Sequence, residues 1–357
     1  MSEVAGARPV RAEDAFDVDA AVTWLRSHAD HRYAAGLARE PEVRQFSGGA
    51  SNLTYLLRFP DLDLVLRRGP SGTKARGAHD MGREHRIQAA LGPVFPYVAT
   101  MVAMCDDPAV LGGDFYVMER LVGTVPRREM PVDLSSDQAS RLCASMLDVL
   151  VELHSVDPAA AGLDTLGRGE GYVRRQVEGW STRYRRAHTA GQPDLEVAMA
   201  WLDERQPADV GSCVIHNDYK LDNLVLAVDD PTRIVGIFDW EMATVGDPLM
   251  DLGAALAYWV QADDDADFQS FRRVPTHLPG MLTRAELIAG YCERAGREVS
   301  ADAAVFYEAY GVFRLAVIAQ QIYYRYANGQ TTNEAYAAFG PAVQVLDRRL
   351  AKLLSAT

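Results

Sequence analysis

The stretch HNDYKLDN, residues 216–223, constrains the fold most, because it sets histidine, aspartate, lysine and asparagine side chains between two apolar runs. SCVI leads into it and NLVLAV leads out of it. Short apolar runs rich in valine, leucine and isoleucine, interrupted by turn-forming residues, predict strands. The polar cluster is therefore expected to be a loop held rigidly between two strands.

The composition limits the possible classes of protein. With 357 residues, 48% of them hydrophobic and 24% charged, the chain is expected to fold into two lobes. The acidic N-terminal stretch and the lack of 18 consecutive apolar residues favour a soluble cytoplasmic protein. A net charge of −13 argues against nucleic acid or an anionic membrane as a partner. The four widely spaced cysteines are expected to be buried thiols.

Residues 1–121 are predicted to form a β-rich lobe. A helix is expected in DVDAAVTWLRSHAD, followed by strands in EVRQFSGG, SNLTYLLRF and LVLRR, which would form a small antiparallel sheet. A glycine-containing polar stretch, GPSGTKARGAHD, then precedes a predicted helix, MGREHRIQAAL, and a further strand, DFYVMERLV. The lobe should therefore contain the N-terminal helix, the antiparallel sheet and one prominent further helix, MGREHRIQAAL.

Residues 122–357 are predicted to be mainly helical. Ser135 and Gln138 match a capping box before apolar residues at helical spacing. Further helices are predicted in VRRQVEGWSTRYRRAH, LEVAMAWLDER, DLGAALAYWVQ and FYEAYGVFRLAVIAQQIYYRYANG. In this half, NLVLAVDDPTRIVGIFDW predicts two short strands joined by a DDPT turn.

Three residues in this half have the spacing of a phosphoryl-transfer site. Asn223 follows Asp218 by five positions, and Asp239 ends the next predicted strand sixteen residues later. A carboxylate and an amide oxygen suit magnesium, with phosphate oxygens completing the shell. The order resembles the catalytic loop and metal loop of kinases, HRDxxxxN followed by DFG.

HNDYKLDN and DWEMATVGDPLMDLG together resemble the aminoglycoside phosphotransferase family of small-molecule kinases, and in particular its branch related to the kinase-like part of some acyl-CoA dehydrogenases. The family carries HGDxxxxN, where this chain has Asn217 in place of glycine, and then a DWE or DxD motif followed by GDPxxDL. The resemblance covers roughly residues 40–330. It implies an α+β fold of the bilobal protein-kinase-like type, with a β-rich N-terminal lobe and a mainly helical C-terminal lobe.

The resemblance also implies roles for individual residues. Asp218 would accept or orient the acceptor's hydroxyl proton, and Lys220 would lie against the transferring phosphoryl group. Asn223 and Asp239 would hold Mg²⁺ against the phosphates of ATP or GTP. His216 and Asp251 would be structural braces.

The nucleotide is expected to bind in the first lobe. Strand alternation puts Val65 and Arg67 on one face, with Val65 toward the base and Arg67 in place of the family's phosphate-binding lysine. Glu84 is the expected ion-pair partner of Arg67. The remaining residues assigned to this site are Gly48, Gly49, Ser51 and Asn52 in the phosphate loop, and Glu119 and Leu121 after the last strand.

The leading hypothesis is transfer of a nucleotide γ-phosphate to a hydroxyl of a small molecule. A protein kinase is disfavoured because only eleven residues separate Asp239 from Asp251, which is short for an activation segment. A nucleotide-binding regulatory module without transfer activity remains an alternative, given the missing lysine and Asn217. An aminoglycoside-type antibiotic kinase is another. The acceptor, the choice between ATP and GTP, and the oligomeric state stay open.

Overall fold

The structure is a computed structural model that describes residue 4 and residues 6–46, 52–70 and 80–355. Its contacts divide the chain into two compact units. The first contains Met1–Val122 and Gly236–Glu241, and the second contains Gly123–Val235 and Met242–Thr357. Across the described ranges, no helix is both long and apolar enough to cross a membrane.

The first unit is built on a six-stranded antiparallel sheet with the strand order β1-β2-β3-β4-β6-β5. The sequence predicts only four of these strands; the first and fifth were missed because Ala7–Arg8 is two residues long and Met101–Cys105 lacks clear alternation. The strands are β1 (Ala7–Arg8), β2 (Glu42–Phe46), β3 (Leu53–Phe59), β4 (Leu62–Arg68), β5 (Met101–Cys105) and β6 (Phe115–Glu119).

Alternate side chains of β4 lie in two different apolar clusters, which also contain residues of the helices. The helices of this unit are α1 (Val18–His28), α2 (Met81–Leu91) and α3 (Pro108–Leu111). Leu64 and Leu66 pack with Leu25 of α1, whereas Val65 packs with Met81 of α2. Burying such a leucine contributes about 1.5–3 kcal/mol. Because neighbouring strand residues point to opposite faces, this packing fixes the register of β4.

The second unit is mainly helical. Its helices are α4 (Ser136–His154), α5 (Tyr172–Ala187), α6 (Glu196–Arg205), α7 (Pro248–Leu256), α8 (Ala266–Ser270), α9 (Arg284–Arg294), α10 (Ala301–Ala327) and α11 (Phe339–Ser355). The predicted capping box at the start of α4 is present: the Ser135 hydroxyl accepts from the Gln138 backbone, and the Gln138 side chain accepts from the Ser135 backbone. The β-rich first half and the mainly helical second half are therefore confirmed.

Short strands interrupt these helices. They are β7 (Cys213–Ile215), β8 (Leu224–Leu226), β9 (Ile234–Ile237) and β10 (Thr244–Gly246). β7 pairs with β10, and β8 pairs with β9. The predicted strands on both sides of HNDYKLDN are thus present, with a short 3₁₀ turn at Leu221–Asn223.

The predicted helix DLGAALAYWVQ is wrong in its last five residues, because α7 ends at Leu256. Tyr258 and Trp259 donate to carbonyls three residues earlier, at 3.2 and 3.0 Å, which tightens the last turn and ends the helix. The indole of Trp259 then donates to the Leu282 carbonyl at 2.8 Å. Tertiary contacts therefore end a helix whose apolar pattern continues.

Two glycines let α7 and α10 pack closely. A Cβ atom at Gly311 would lie 1.9 Å from the carbonyl oxygen of Gly253, and one at Gly253 would lie 2.4 Å from the carbonyl of Tyr307. Only glycine permits this approach, since a Cβ at either position would overlap backbone. The contact fixes the positions of Asp251 in α7 and Arg314 in α10 within the second unit.

Candidate active site

The three side chains predicted to be catalytic meet in the loop between β7 and β8. The Asp218 carboxylate accepts from Lys220 Nζ at 2.7 Å and from Asn223 Nδ2 at 2.9 Å. Asn223 Nδ2 also donates to the Asp218 carbonyl at 2.8 Å. Because the amide nitrogen of Asn223 is used in this way, its side-chain oxygen is the atom that can bind a cation. The loop thus presents a carboxylate, an ammonium and an amide oxygen together.

Lys220 is held as a cation beside Asp218. Its Nζ lies 4.6 Å from the centre of the Tyr258 ring, a distance at which a cation is attracted to the ring face. Burial favours the neutral amine, but Tyr258 and Asp218 outweigh it, so the pKa of Lys220 is raised. Lys220 therefore carries its positive charge throughout the neutral pH range.

The turn that presents Asp218 is anchored by Asp251, which is fully buried. Its two carboxylate oxygens accept from the backbone N–H groups of His216 and Asn217, each at 2.7 Å. Burial opposes ionisation, but the hydrogen bond and charge of His154 outweigh it and lower the pKa of Asp251. The side chain of His216 accepts from the Asp218 N–H at 3.2 Å. Asp251 and His216 therefore occupy the bracing positions that the resemblance implies.

Arg314 of α10 contacts the same turn and was not found from the sequence. It is 2% exposed, and its Nη2 donates to the carbonyl oxygen of Asn217 at 2.7 Å. Its guanidinium lies over the Trp180 ring, 5.2 Å from the ring centre. The available signal was an arginine within the apolar helical run VFRLAV, where a charge has to find a buried partner.

In the first unit, Arg67 joins two of the other predicted residues. Arg67 Nη1 lies 2.8 Å from Glu84 Oε1, and Arg67 Nη2 lies 3.9 Å from Asp239 Oδ1. The expected ion pair between Arg67 and Glu84 is therefore present, and Glu84 is only 1% exposed. Burial favours the neutral guanidine, but Tyr116, Glu84 and Asp239 outweigh it and raise the pKa of Arg67. These contacts connect β4, α2 and the loop that carries Asp239 within one unit.

Of the other residues predicted to contact the nucleotide, Val65 and Leu121 lie in one cluster. Val65 belongs to an apolar cluster against which Leu121 packs. Glu119 instead accepts a hydrogen bond from the Tyr33 hydroxyl at 2.7 Å, and Asn52 is 3% exposed. The predicted phosphate-loop residues Gly48, Gly49 and Ser51 lie outside the described residues.

Backbone geometry marks both predicted loops. In the part of the chain that the structure describes, the non-glycine residues with positive φ are Leu195 at 55°, Asn217 at 64° and Asp239 at 66°. Such conformations are unfavourable for most residues, although asparagine and aspartate tolerate them best. Strained residues of this kind concentrate at functional sites. Asn217 directly precedes the predicted catalytic residue Asp218, and Asp239 is a predicted metal ligand.

Known proteins resemble this chain in sequence and in fold. The model of the "Phosphotransferase enzyme family" (APH) matches residues 42–298. Acyl-CoA dehydrogenase family member 10 of Mus musculus is 33% identical over 331 residues, which are 92% of this chain and 30% of that protein. Acyl-CoA dehydrogenase family member 11 of Rattus norvegicus is 32% identical, over 89% of this chain and 41% of that protein. The chain thus spans less than half the length of these relatives.

A solved structure from Ralstonia eutropha JMP134, assigned as an aminoglycoside phosphotransferase, has a TM-score of 0.79 and 29% identity and covers 96% of this chain and 99% of that one. The kinase-like fold predicted from the sequence is confirmed by this likeness. With the family model matching more than half of the residues, the chain belongs to the phosphotransferase enzyme family (APH).

Proposed function

We propose that this protein transfers the γ-phosphate of ATP or GTP to a hydroxyl group of a small molecule in a Mg²⁺-dependent reaction. The observation that carries the proposal is the contact of Asp218 with both Lys220 and Asn223. A carboxylate, a cation and an amide oxygen are the groups that phosphoryl transfer requires from a protein, because the chemistry depends on positioning and charge stabilisation.

Asp218 orients the acceptor hydroxyl and receives its proton as the oxygen attacks. Its carboxylate is held by Lys220 and Asn223 and is 13% exposed, so it remains reachable from solvent. Lys220 stabilises negative charge on the phosphoryl oxygens as the bond to the leaving nucleotide breaks.

The residues proposed to hold the metal fit magnesium in their chemistry. Asp239 offers a carboxylate that is 38% exposed, and Asn223 offers an amide oxygen. These are hard oxygen donors, which Mg²⁺ prefers, and Mg²⁺ usually takes few protein ligands and completes its shell with phosphates and water. When bound, Mg²⁺ would neutralise phosphate charge. Across the described residues, no group of three or more His, Cys, Asp or Glu is placed to hold a metal.

The nucleotide is proposed to bind against the face of β4 that carries Val65 and Arg67. Arg67 supplies the fixed positive charge, since Glu84 holds it in place and its pKa is raised. A solved ternary complex of streptomycin, ATP and APH(2")-IIa has the same fold, with a TM-score of 0.55 over 85% of this chain at 16% identity. That protein binds ATP, which supports a nucleotide as the phosphate donor here.

The proposed acceptor is a hydroxylated acyl compound, such as a hydroxyacyl thioester. The support is that the curated relatives are named acyl-CoA dehydrogenases and that this chain matches 30–46% of their length. A kinase fold within proteins of that name is consistent with a shared acyl substrate. An aminoglycoside acceptor is the alternative, supported by the name of the Ralstonia eutropha protein.

A nucleotide-consumption screen tests the proposal. The protein would be incubated with ATP or GTP and Mg²⁺ against hydroxyacyl thioesters, other small alcohols and aminoglycosides, with Asp218→Asn as the inactive control. We expect phosphorylated product with one acyl acceptor, and none without Mg²⁺. Nucleotide binding without any transfer would instead favour a regulatory module.

A further inference from the structure

The turn carrying Asp218 is held from two sides by buried charges of opposite sign. We propose that Arg314 is a positioning residue that fixes the left-handed turn at Asn217 and thereby orients the Asp218 carboxylate for phosphoryl transfer. This inference rests on the proposed function and adds to it a residue of α10, which lies 91 positions after Asn223 in the sequence.

The two charged side chains, Asp251 and Arg314, bind different backbone groups of Asn217. Asp251 accepts from its N–H at 2.7 Å, and Arg314 donates to its carbonyl oxygen at 2.7 Å. That carbonyl belongs to the peptide bond between Asn217 and Asp218, so Arg314 holds the plane from which the Asp218 side chain projects. Hydrogen bonds to charged groups are about twice as strong as neutral ones. Together they offset the cost of the positive φ of 64° at Asn217.

Arg314 is itself held in one place. Its Nη2 lies 3.4 Å from the sulfur of Met242, and its guanidinium stacks over Trp180. The backbone contact between Gly253 and Gly311 sets the distance between α7 and α10. Since Gly311 is one turn before Arg314 in α10, this contact places Arg314 relative to Asp251. Arg314 is therefore held by contacts besides its hydrogen bond to the turn.

Arg284 is another buried arginine of the second unit, and its partners differ from those of Arg314. Arg284 is 6% exposed, and its charge is compensated by Asp264 at 2.7 Å and Glu308 at 2.9 Å. In the described part of the chain, Arg314 instead forms no ion pair with a carboxylate, and its strong acceptor is the carbonyl of the turn. Its buried charge is thus directed at the catalytic loop.

The test compares Arg314→Met with the matched control Arg284→Met, in which Arg349 still pairs with Asp264 and Glu308. We expect Arg314→Met to lower kcat by about 10- to 100-fold, because small displacements of reacting groups have effects of this size. The KM for nucleotide should stay within about twofold of wild type, since ground-state binding is unchanged. Hydrogen exchange of the peptide containing residues 213–222 should accelerate in this variant alone.

Each outcome supports or contradicts the role of Arg314. If Arg314→Met folds and keeps the wild-type kcat, or if Arg284→Met loses as much kcat and loop protection, the inference is wrong. Should Arg314→Met fail to fold, Arg314→Lys retains the charge but loses the planar group over Trp180. It should show faster exchange at residues 213–222 and a lower kcat, and wild-type values of both would contradict the inference. If the wild-type protein transfers no phosphate, the proposed function fails, while the exchange measurement still reports on the anchoring by Arg314.

Discussion

The residues Asn217 and Asp239 have nearly the same positive φ and very different surroundings. Asn217 is 8% exposed, and its peptide groups are held by Asp251 and Arg314. The Asp239 carboxylate is 38% exposed and lies 3.9 Å from Arg67. Both residues have an energetically unfavourable positive φ, of 64° and 66°. One turn is thus fixed by buried charges, and the other leaves its carboxylate accessible.

The difference corresponds to the two tasks that we assign to these turns. A base has to be held in the productive geometry before substrate arrives, since its effect depends on orientation. A metal ligand needs an accessible charge, because Mg²⁺ arrives with the nucleotide and keeps water in its shell. A positive φ lies next to the Asp218 carboxylate and at Asp239, and the two carboxylates differ in how far their surroundings expose them.

The largest effect is expected when the carboxylate of the fixed turn is removed. Asp218→Asn should slow transfer by about 10²- to 10⁴-fold, the range for loss of a positioned base. Nucleotide binding should change little, because Arg67 and Asp239 are untouched. Single-turnover kinetics combined with calorimetric titration of nucleotide would check both statements. A wild-type rate in this variant would remove Asp218 from the mechanism.

The accessible turn is tested by Asp239→Asn, which keeps a residue that tolerates positive φ and removes only the charge. We expect nucleotide affinity in the presence of Mg²⁺ to fall by about 10- to 100-fold, and affinity without Mg²⁺ to change little. The thermal midpoint should stay near that of wild type. If the variant bound nucleotide as tightly as wild type both with and without Mg²⁺, the metal assignment would be wrong.

Arg67 and Arg68 are adjacent in β4, so a variant of one serves as the control for a variant of the other. Arg67 contacts Glu84, while Arg68 lies on the opposite face, 6.0 Å from the centre of the Tyr55 ring. Arg67→Ala should raise the nucleotide KM by about 10- to 150-fold, which corresponds to the roughly 1.5–3 kcal/mol of a lost hydrogen bond to a charged group. Arg68→Ala should leave the KM unchanged. The opposite pattern would show that the nucleotide lies on the other face of the sheet.

Arg67→Ala also leaves Glu84 buried without its cation, which costs about 3–5 kcal/mol of stability. The double variant Arg67→Ala/Glu84→Gln separates this effect from binding, because it removes the uncompensated charge. We expect the double variant to regain stability in urea denaturation while its nucleotide KM stays high. Recovery of the KM together with stability would mean that Arg67 acts only through the fold.

The smallest effect concerns the backbone of the fixed turn. Glycine adopts a positive φ without the cost that a Cβ imposes, so Asn217→Gly should be more stable than Asn217→Ala by about 1 kcal/mol. Both variants lose the hydrogen bond from Asn217 Nδ2 to the Met242 carbonyl, so that loss cancels in the comparison. Urea denaturation of the two variants measures the difference. Equal stabilities would show that the turn relaxes out of the left-handed region.

Much of this architecture follows from local sequence. The α2 helix begins and ends as its pattern predicts, with Asp80 as the N-cap. Alternation along β4 correctly separated Arg67 from Arg68, because a strand has a period of two. The order of HNDYKLDN and DWEMATVGDPLMDLG was sufficient to predict the family. These features depend on residues close together in the chain.

The errors and omissions arise where distant residues meet. The end of α7 depends on packing of Trp259 rather than on its apolar pattern. The role of Glu119 as a partner of Tyr33 joins residues 86 positions apart, so no local pattern reports it.

By itself, the sequence determined the family, most of the described helices and strands, and the faces of β4, because these depend on motif order, short-range periodicity and turn chemistry. It did not predict α3, α8, α9 or α11. Only the tertiary structure decided how the Asp218 turn is fixed. The glycine contact between α7 and α10 brings Asp251 and Arg314, 63 positions apart in the sequence, to opposite ends of one residue. Buried charges must find partners wherever packing places them, and packing is a property of the whole fold.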